Sequence, residues 1–268
     1  MRYSIKQMAN LLGTTTHKLR YYQKLDIISP VSDTQNGYRY YSVLDTRRFN
    51  LACMYTDLGF SLNETIKILK NSKSDELIEK LNLQKEVIAK EILFKQLCLE
   101  KIDEFNRFFS IFDRLKDEVI EIELDDILRL EFSNQEIIEQ NEHLIHLRNE
   151  VLKYSPLVQW VSRIPSPIVD LKEGELEYHF GLNINYQHAL KLNLDVTQFQ
   201  MIPKGKYLIT IYEKKNRDPF GFDSFHRLQD YLKKHGISSH LDCYSSIVHS
   251  IAHNDHYLNY HYLLLKLT

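Results

Sequence analysis

Cysteine is scarce in this 268-residue chain: three residues, Cys53, Cys98 and Cys243, lie far apart and form no CxxC pair. That excludes a disulfide-framed secreted scaffold and a clustered thiolate site. Glycine and proline are few, at eight and six, so collagen-like and low-complexity classes are excluded too. No apolar run approaches the ~18 residues of a membrane span. Met1-Arg2-Tyr3-Ser4 leads straight into an amphipathic pattern instead of a signal peptide. With 43% hydrophobic and 26% charged residues the balance is that of an ordinary globular protein, and the expectation is a cytoplasmic chain of two domains plus a connector.

The net charge of −2 conceals an asymmetry. Residues 1–70 carry ten lysines and arginines against five acids, a surplus of five; the rest carries 24 against 31, a deficit of seven. A basic head on an acidic body suits a protein of which one end meets phosphate.

Along the chain, Ser4-Ile5-Lys6-Gln7 fits a capping box. Ile5, Met8, Ala9 and Leu12 then share a helical face that Gly13 ends. After Thr14-Thr15-Thr16 a second short helix runs to about Leu25, with Leu19 and Tyr22 facing inward. Two short helices around a tight turn are the helix-turn-helix pattern. Asn36-Gly37 is a hairpin signal, and the returning strand Tyr38-Arg39-Tyr40-Tyr41 suits a wing that grips nucleic-acid backbone. Ser42 with Asp45, and Ser61-Leu62-Asn63-Glu64, mark two further helix starts. From Ser74 to about Lys116 the pattern is one long helix. Ile78, Lys85, Ile92, Leu99 and Asn106 fall at one seam position; Leu81, Ile88, Lys95, Ile102 and Phe109 fall at the other. This polar-interrupted coiled coil points to a homodimer, with an intramolecular helical hairpin as the alternative.

The stretches Thr16-His17-Lys18-Leu19-Arg20-Tyr21-Tyr22, Asn36-Gly37-Tyr38-Arg39-Tyr40-Tyr41 and Leu58-Gly59-Phe60-Ser61-Leu62 together resemble the MerR family of transcription regulators, and most nearly its multidrug-sensing branch. The resemblance implies a homodimer on a pseudo-palindromic operator in double-stranded promoter DNA. The second helix would lie in the major groove and the wings on flanking backbone, and the activated dimer would distort an over-long promoter spacer so that RNA polymerase can use it. It assigns Thr16, His17, Lys18 and Arg20 to the groove and nearby phosphates, and Tyr21, Tyr38, Arg39 and Tyr41 to the backbone; Tyr22 is read as core.

Metal-sensing members place cysteines at the end of the dimer helix and just after it. Residues 101–150 contain none, and Cys98 reads as a buried structural thiol. His249, His253 and His256 read as surface histidines, so neither a metal nor another cofactor is expected. The remaining ~150 residues read as strand at about 120–132, helix from Asn134 to Leu152, strands from Leu176 to Ile184 and near 196–202. The order then repeats as strand Lys206–Tyr212, helix Phe220–His235, strand His240–Ser246 and strand Tyr257–Lys266. Two β-α-β-β units give an α+β domain with an internal repeat. Their order, with Pro203-Lys204-Gly205-Lys206-Tyr207, is similar to the GyrI-like effector-binding domain. That likeness implies a small organic ligand held by aromatic faces, with Trp160, Tyr178, Tyr207, Phe222 and Tyr244 as candidates. Asp242, just before Cys243-Tyr244, is placed as counter-charge for a cation, and Glu177 is the second candidate. The expected divisions are a winged-helix DNA-binding domain at 1–73, a dimerisation helix in an antiparallel coiled coil at 74–117, and the effector-binding domain at 118–268. No nucleophile motif or catalytic residue emerges. Small-molecule hydrolysis by the C-terminal half, or a constitutive DNA binder that recruits a protein partner, are the competing readings.

Overall fold

The computed structural model describes residues 2–34, 37–134, 137–138, 141–165, 177–215, 222–237, 241–253 and 256–267, of which 134, 137, 138, 222, 253 and 256 by backbone alone. The chain divides into two compact units, Met1–Leu93 and Phe94–Thr268.

The first unit opens with α1 (Ile5–Leu11) and α2 (Thr16–Lys24). Ser4 and Gln7 complete the capping box of α1, and the Thr15 side chain caps α2. Gly13 carries the chain between them at φ +60°, a left-handed conformation that costs glycine little. A ribbon of β1 (Val31–Ser32) and β2 (Arg39–Tyr40) follows, with Val31 opposite Tyr40 and Ser32 opposite Arg39. Next come α3 (Val43–Asp57) and α4 (Leu62–Asn71), and both expected capping boxes are present. The aspartate in the Ser42 box works because Asp45 is buried and accepts from the Ser42 and Ser29 backbone N–H groups, each at 2.8 Å. Burial alone would raise its carboxyl, but these hydrogen bonds outweigh it and hold the pKa below the usual range. Met8, Leu19, Tyr22, Ile28, Tyr41, Phe49 and Ala52 form the core on which the elements close.

The long helix α5 (Ser74–Ser110) is continuous and is followed by a separate turn of helix, α6 (Phe112–Asp117). The expected single helix to Lys116 therefore breaks at Ile111. In the second unit, β3 (Ile120–Leu124) and β4 (Ile127–Glu131) replace the single strand expected at 120–132. A two-stranded ribbon, β5 (Ser133–Asn134) with β6 (Ile137–Ile138), occupies the expected start of the next helix. That helix, α7 (Glu142–Leu152), begins only where the Asn141 side chain caps it. Then come β7 (Val158–Ile164), β8 (His179–Asn185), α8 (Tyr186–Lys191), β9 (Gln200–Ile202), β10 (Gly205–Lys215), α9 (His226–His235), β11 (Cys243–His253) and β12 (His256–Lys266). Both β7 and α8 were absent from the sequence reading.

Eight strands form one antiparallel sheet in the order β3-β10-β12-β11-β7-β8-β4-β9. The order is symmetric about the β11–β7 seam. On one side the unit β4-α7-β7-β8 lies as β7-β8-β4, and on the other β10-α9-β11-β12 lies as β11-β12-β10. A duplicated β-α-β-β unit is thus present, but its first copy differs from the expected one: β7 takes a place no strand was expected to fill, and β9, expected as the unit's last strand, lies outside it as an outer addition, as does β3. Side chains alternate between the faces of a strand. Leu128, Leu130, Val158, Leu182 and Ile184 meet Leu147 and Val151 of α7 on one face. On that same face Ile164, Leu208, Cys243, Leu263 and Leu265 meet Leu228 and Leu232 of α9. On the opposite face Tyr207, Ile209, Ile211, Tyr260 and Leu264 gather around Leu115 of α6.

Gly181 of β8 is a position where the fold excludes a side chain: a Cβ there would come within 2.6 Å of the Leu130 carbonyl and 2.9 Å of the Arg129 guanidinium. Gly181→Ala is therefore expected to destabilise the second unit by about 1–3 kcal/mol, read as a lowered denaturation midpoint for that unit. His261 supplies a pH test. Burial, aided by the Lys214 charge, lowers its pKa to about 4, and its ring stacks 4.9 Å from Tyr212. Below about pH 6.5 the unfolded chain takes up this proton and the folded chain does not. Stability contributed by the neutral ring is thus intact above pH 6.5 and lost towards pH 4. His261→Gln should reduce the fall in melting temperature between pH 7 and pH 5.

Candidate nucleic-acid interface and sensor site

In α2 the inward residues Leu19 and Tyr22 are buried, whereas His17, Lys18, Arg20, Tyr21 and Lys24 are exposed and Thr16 is half-buried. His17, Arg20, Tyr21 and Lys24 recur at helical spacing, which places them on one outward face. Helix and wing adjoin. Tyr41 donates from its hydroxyl to Gln23 of α2 at 3.2 Å, and the Arg39 and Arg20 charges both act on that phenol, which burial has pushed to a higher pKa. Tyr38 and Arg39 are exposed, Tyr38 by 70%. Most of the expected contact residues are thus brought to an accessible basic surface.

Tyr41 is the correction. It is 1% exposed, and its backbone pairs with Tyr3 through two 2.8 Å hydrogen bonds. Its phenol belongs to the core, where it ties the wing to α2, and it does not reach outward to phosphate. Two exposed basic residues at the start of α3, Arg47 and Arg48, escaped the sequence reading of this surface. Their pairing next to a helix start was the available signal.

The sensor candidates separate onto the two faces of the sheet. On the face opposite the helices, Arg129 is 1% exposed and spends its guanidinium on Glu131 (3.0 Å), the Val161 carbonyl (3.1 Å), Asn183 (3.1 Å) and the His179 carbonyl (2.8 Å). Arg163 forks onto both oxygens of Glu131 at 2.8 Å and reaches Asp242 at 3.0 Å. Burial would raise the Glu131 carboxyl, and the two guanidiniums more than offset this and hold it low. Asp242 is therefore already neutralised by an arginine and does not stand as a free counter-charge for a cation. Tyr244, beneath the Arg129 guanidinium at 5.9 Å, has its pKa pushed up to about 12 by burial and by Asp242. A tyrosine in this state keeps its proton near neutral pH, and its neighbour Asp242 is already paired with Arg163. Tyr207 is also a correction: 1% exposed, it donates its hydroxyl to the Pro203 carbonyl at 2.6 Å and is a core residue.

The helix-bearing face presents the other candidates. Trp160 is 52% exposed and stands edge-on to Phe132 at 5.5 Å; Tyr178, half-buried, meets Phe180 at 5.3 Å. The Phe132 N–H donates to the Phe180 carbonyl, which draws the strands together beneath these rings. Glu177 is exposed, and the Phe222 side chain lies outside the described residues. Sequence reading missed Arg129, Glu131 and Arg163, although charges alternating with leucines in Leu128-Arg129-Leu130-Glu131 were a legible sign of a polar second face. Among the described residues no group of three or more histidine, cysteine or acidic side chains is placed to hold a metal. His249 stacks on Tyr260 instead, and Cys98 is half-buried where a fully buried thiol was expected.

Residues 3–72 match the family described as MerR HTH family regulatory protein. The chain is 31% identical over 107 residues to the HTH-type transcriptional activator mta of Bacillus subtilis (strain 168), a match that covers 40% of each protein. It is 22% identical over 242 residues to the multidrug-efflux transporter 2 regulator of the same organism, which covers 86% of this chain and 83% of that one. Among solved structures, the EcmrR–DNA complex aligns at 17% identity over 98% of both chains, with a TM-score of 0.38.

The DNA surface yields a discriminating set of substitutions. Arg20→Ala and Tyr38→Ala should each weaken binding to DNA from the gene's own upstream region across sequence variants, with Arg20→Ala lowering the salt slope by about one. Tyr41→Phe should leave that affinity within about threefold while costing about 0.5–1.5 kcal/mol of stability through the lost hydrogen bond. Gel-shift titrations at several salt concentrations, beside thermal melts, check all three.

Proposed function

We propose that this chain, which carries a MerR-family helix-turn-helix domain at its N-terminal end, is a ligand-responsive transcription regulator that binds promoter DNA as a homodimer. In this reading it activates transcription by distorting the promoter spacer for RNA polymerase when a small organic ligand occupies its C-terminal unit. The observation that carries the DNA-binding part is the exposed basic face of α2 beside the wing, within the segment that matches the family. The activator and the efflux-transporter regulator among the relatives support the same class. The working division assigns 1–73 to DNA, 74–117 to dimerisation and 118–268 to the effector, the last on the strength of the duplicated β-α-β-β unit and its GyrI-like order.

Dimerisation rests on α5. Ile78, Ile92, Leu99, Ile102 and Phe109 are exposed on it by 42–63%. They occupy the two seam positions of the heptad read from the sequence, with Lys85, Lys95 and Asn106 as polar interruptions. An apolar stripe of this length is costly in water and is the surface a second copy would cover, the polar breaks selecting register. Ile92→Glu should convert the dimer to monomer in light scattering after gel filtration, and it should weaken operator binding at least tenfold because only one half-site is then held. A dimer that persists in this variant would sink the assignment of the seam.

A further inference from the structure

The charge class of the effector is open in the reading above, and the second unit carries observations that bear on it. Its two best-placed carboxylates are spent: Glu131 is shared by Arg129 and Arg163, and Asp242 is held by Arg163. Both belong to the sheet face opposite the helices. The exposed aromatic surface lies on the helix-bearing face, where Trp160 on β7 and Phe180 on β8 are 52% and 38% exposed around the buried Phe132. Trp160 and Phe180 sit diagonally across the strand pair, since Trp160 is opposite Leu182 and Phe180 is opposite Ser162. The charged side chain that packs against the Phe132 ring is a cation. Arg148 of α7 places its guanidinium 5.6 Å from the Phe132 ring, on whose edge Trp160 also stands at 5.5 Å. Among the described residues Arg148 has no carboxylate partner, while the nearby Glu150 is occupied by Lys153.

We propose that this aromatic platform with an unpaired guanidinium binds a planar aromatic anion, an aromatic carboxylate or its like, and that the sensor is not selective for cations. The inference rests on the effector-binding reading of the second unit and specifies its ligand. Stacking on Trp160 and Phe180 supplies the apolar contact. The Arg148 fork supplies the charge-assisted hydrogen bonds that a carboxylate accepts two at a time. A cation brought to the Phe132 ring meets the like charge of Arg148.

The test is calorimetric titration of the full-length protein with three size-matched probes: 2-naphthoate, neutral 2-naphthylmethanol and cationic 1-methylquinolinium. The expected result is at least tenfold tighter binding of 2-naphthoate than of either other probe. Arg148→Gln should erase that preference and Arg148→Lys, which keeps the charge without the fork, should retain only part of it, with all proteins melting alike. Trp160→Phe should weaken all three probes. A preference for 1-methylquinolinium or the alcohol overturns the anion assignment and leaves the effector-binding reading standing. A naphthoate preference that Arg148→Gln does not move overturns the role of this surface. No binding of any probe, by a protein whose dimer and DNA affinity are intact, overturns the assignment and that reading together.

Discussion

One half-buried carboxylate gathers the charges where the two halves of the second unit's sheet meet. Glu131, at the end of β4, receives Arg129 from its own strand and Arg163 from β7, and Arg163 continues to Asp242 just before β11. Among the described residues three pairs join the two halves of the sheet, Cys243–Ile164, Tyr244–Arg163 and Ser245–Ser162. A ladder that short does little to fix one half against the other. The ion chain crosses at the same place and adds directional bonds to it. Burying Arg129 carries a large desolvation cost, and the arrangement is tolerable because each guanidinium edge meets an oxygen. Removal of Glu131 would leave two guanidiniums without their shared counter-charge.

The same strands connect the candidate ligand surface to the long helix. Past Ser162 and Ser245 the pairing of β7 with β11 ends, and the Ser246 hydroxyl bonds to the Trp160 carbonyl at 2.6 Å where the strands part. β8, which bears Phe180 and Gly181, runs directly into α8, where His188 and Lys191 hold Glu100 of α5 at 3.0 and 3.4 Å. Burial would raise the Glu100 carboxyl, yet its His188 and Lys191 partners keep it below the usual range. Farther along, Thr210 of β10 donates to the Leu115 carbonyl of α6. The helix that bears the apolar seam is thus gripped by side chains from the element immediately after the aromatic strand. These contacts give a continuous physical route from β8 to the long helix, which is what coupling between them would need.

Much of the first unit was legible because its determinants are local. Capping boxes act over four residues, Gly13 acts at one, and helical spacing sorted Leu19 and Tyr22 from His17 and Arg20 without tertiary information. Tyr41 escaped because a run of aromatics in a short strand does not say which ring turns inward; its partners, Tyr3 and Gln23, are 38 and 18 positions away. In the second unit the order of the second copy, β10-α9-β11-β12, was legible, whereas β7 of the first copy was not, and β9 reads in sequence as that copy's last strand. Val158-Gln159-Trp160-Val161-Ser162-Arg163-Ile164 alternates, but a strand with ordinary side chains on both faces stands out poorly beside Pro156 and Pro165. The ribbon at Ser133–Asn134 preempts the first two turns of the expected helix, because the capping residue is Asn141 and not Asn134. The charge pairing was illegible for a stronger reason. Asp242 and Arg163 are 79 positions apart, and only the sheet order brings them together.

That pairing changes what a carboxylate beside a tyrosine means. In sequence, Asp242 and Tyr244 at strand spacing look like an anionic pocket wall, since the two share a face. In the fold they do share it, but Arg163 opposite Tyr244 shares it as well, and the negative charge is consumed before any ligand arrives. Recognition then has to draw on groups with unspent capacity. Aromatic faces that remain in water have it because covering them releases hydration, and a guanidinium with no carboxylate among the described residues has it because its donors are not committed to one. Both conditions meet around Phe132 and not around Tyr244. The charge of an effector site thus follows from which ionic groups the fold leaves unpaired, and a count of acidic residues near an aromatic cannot supply it.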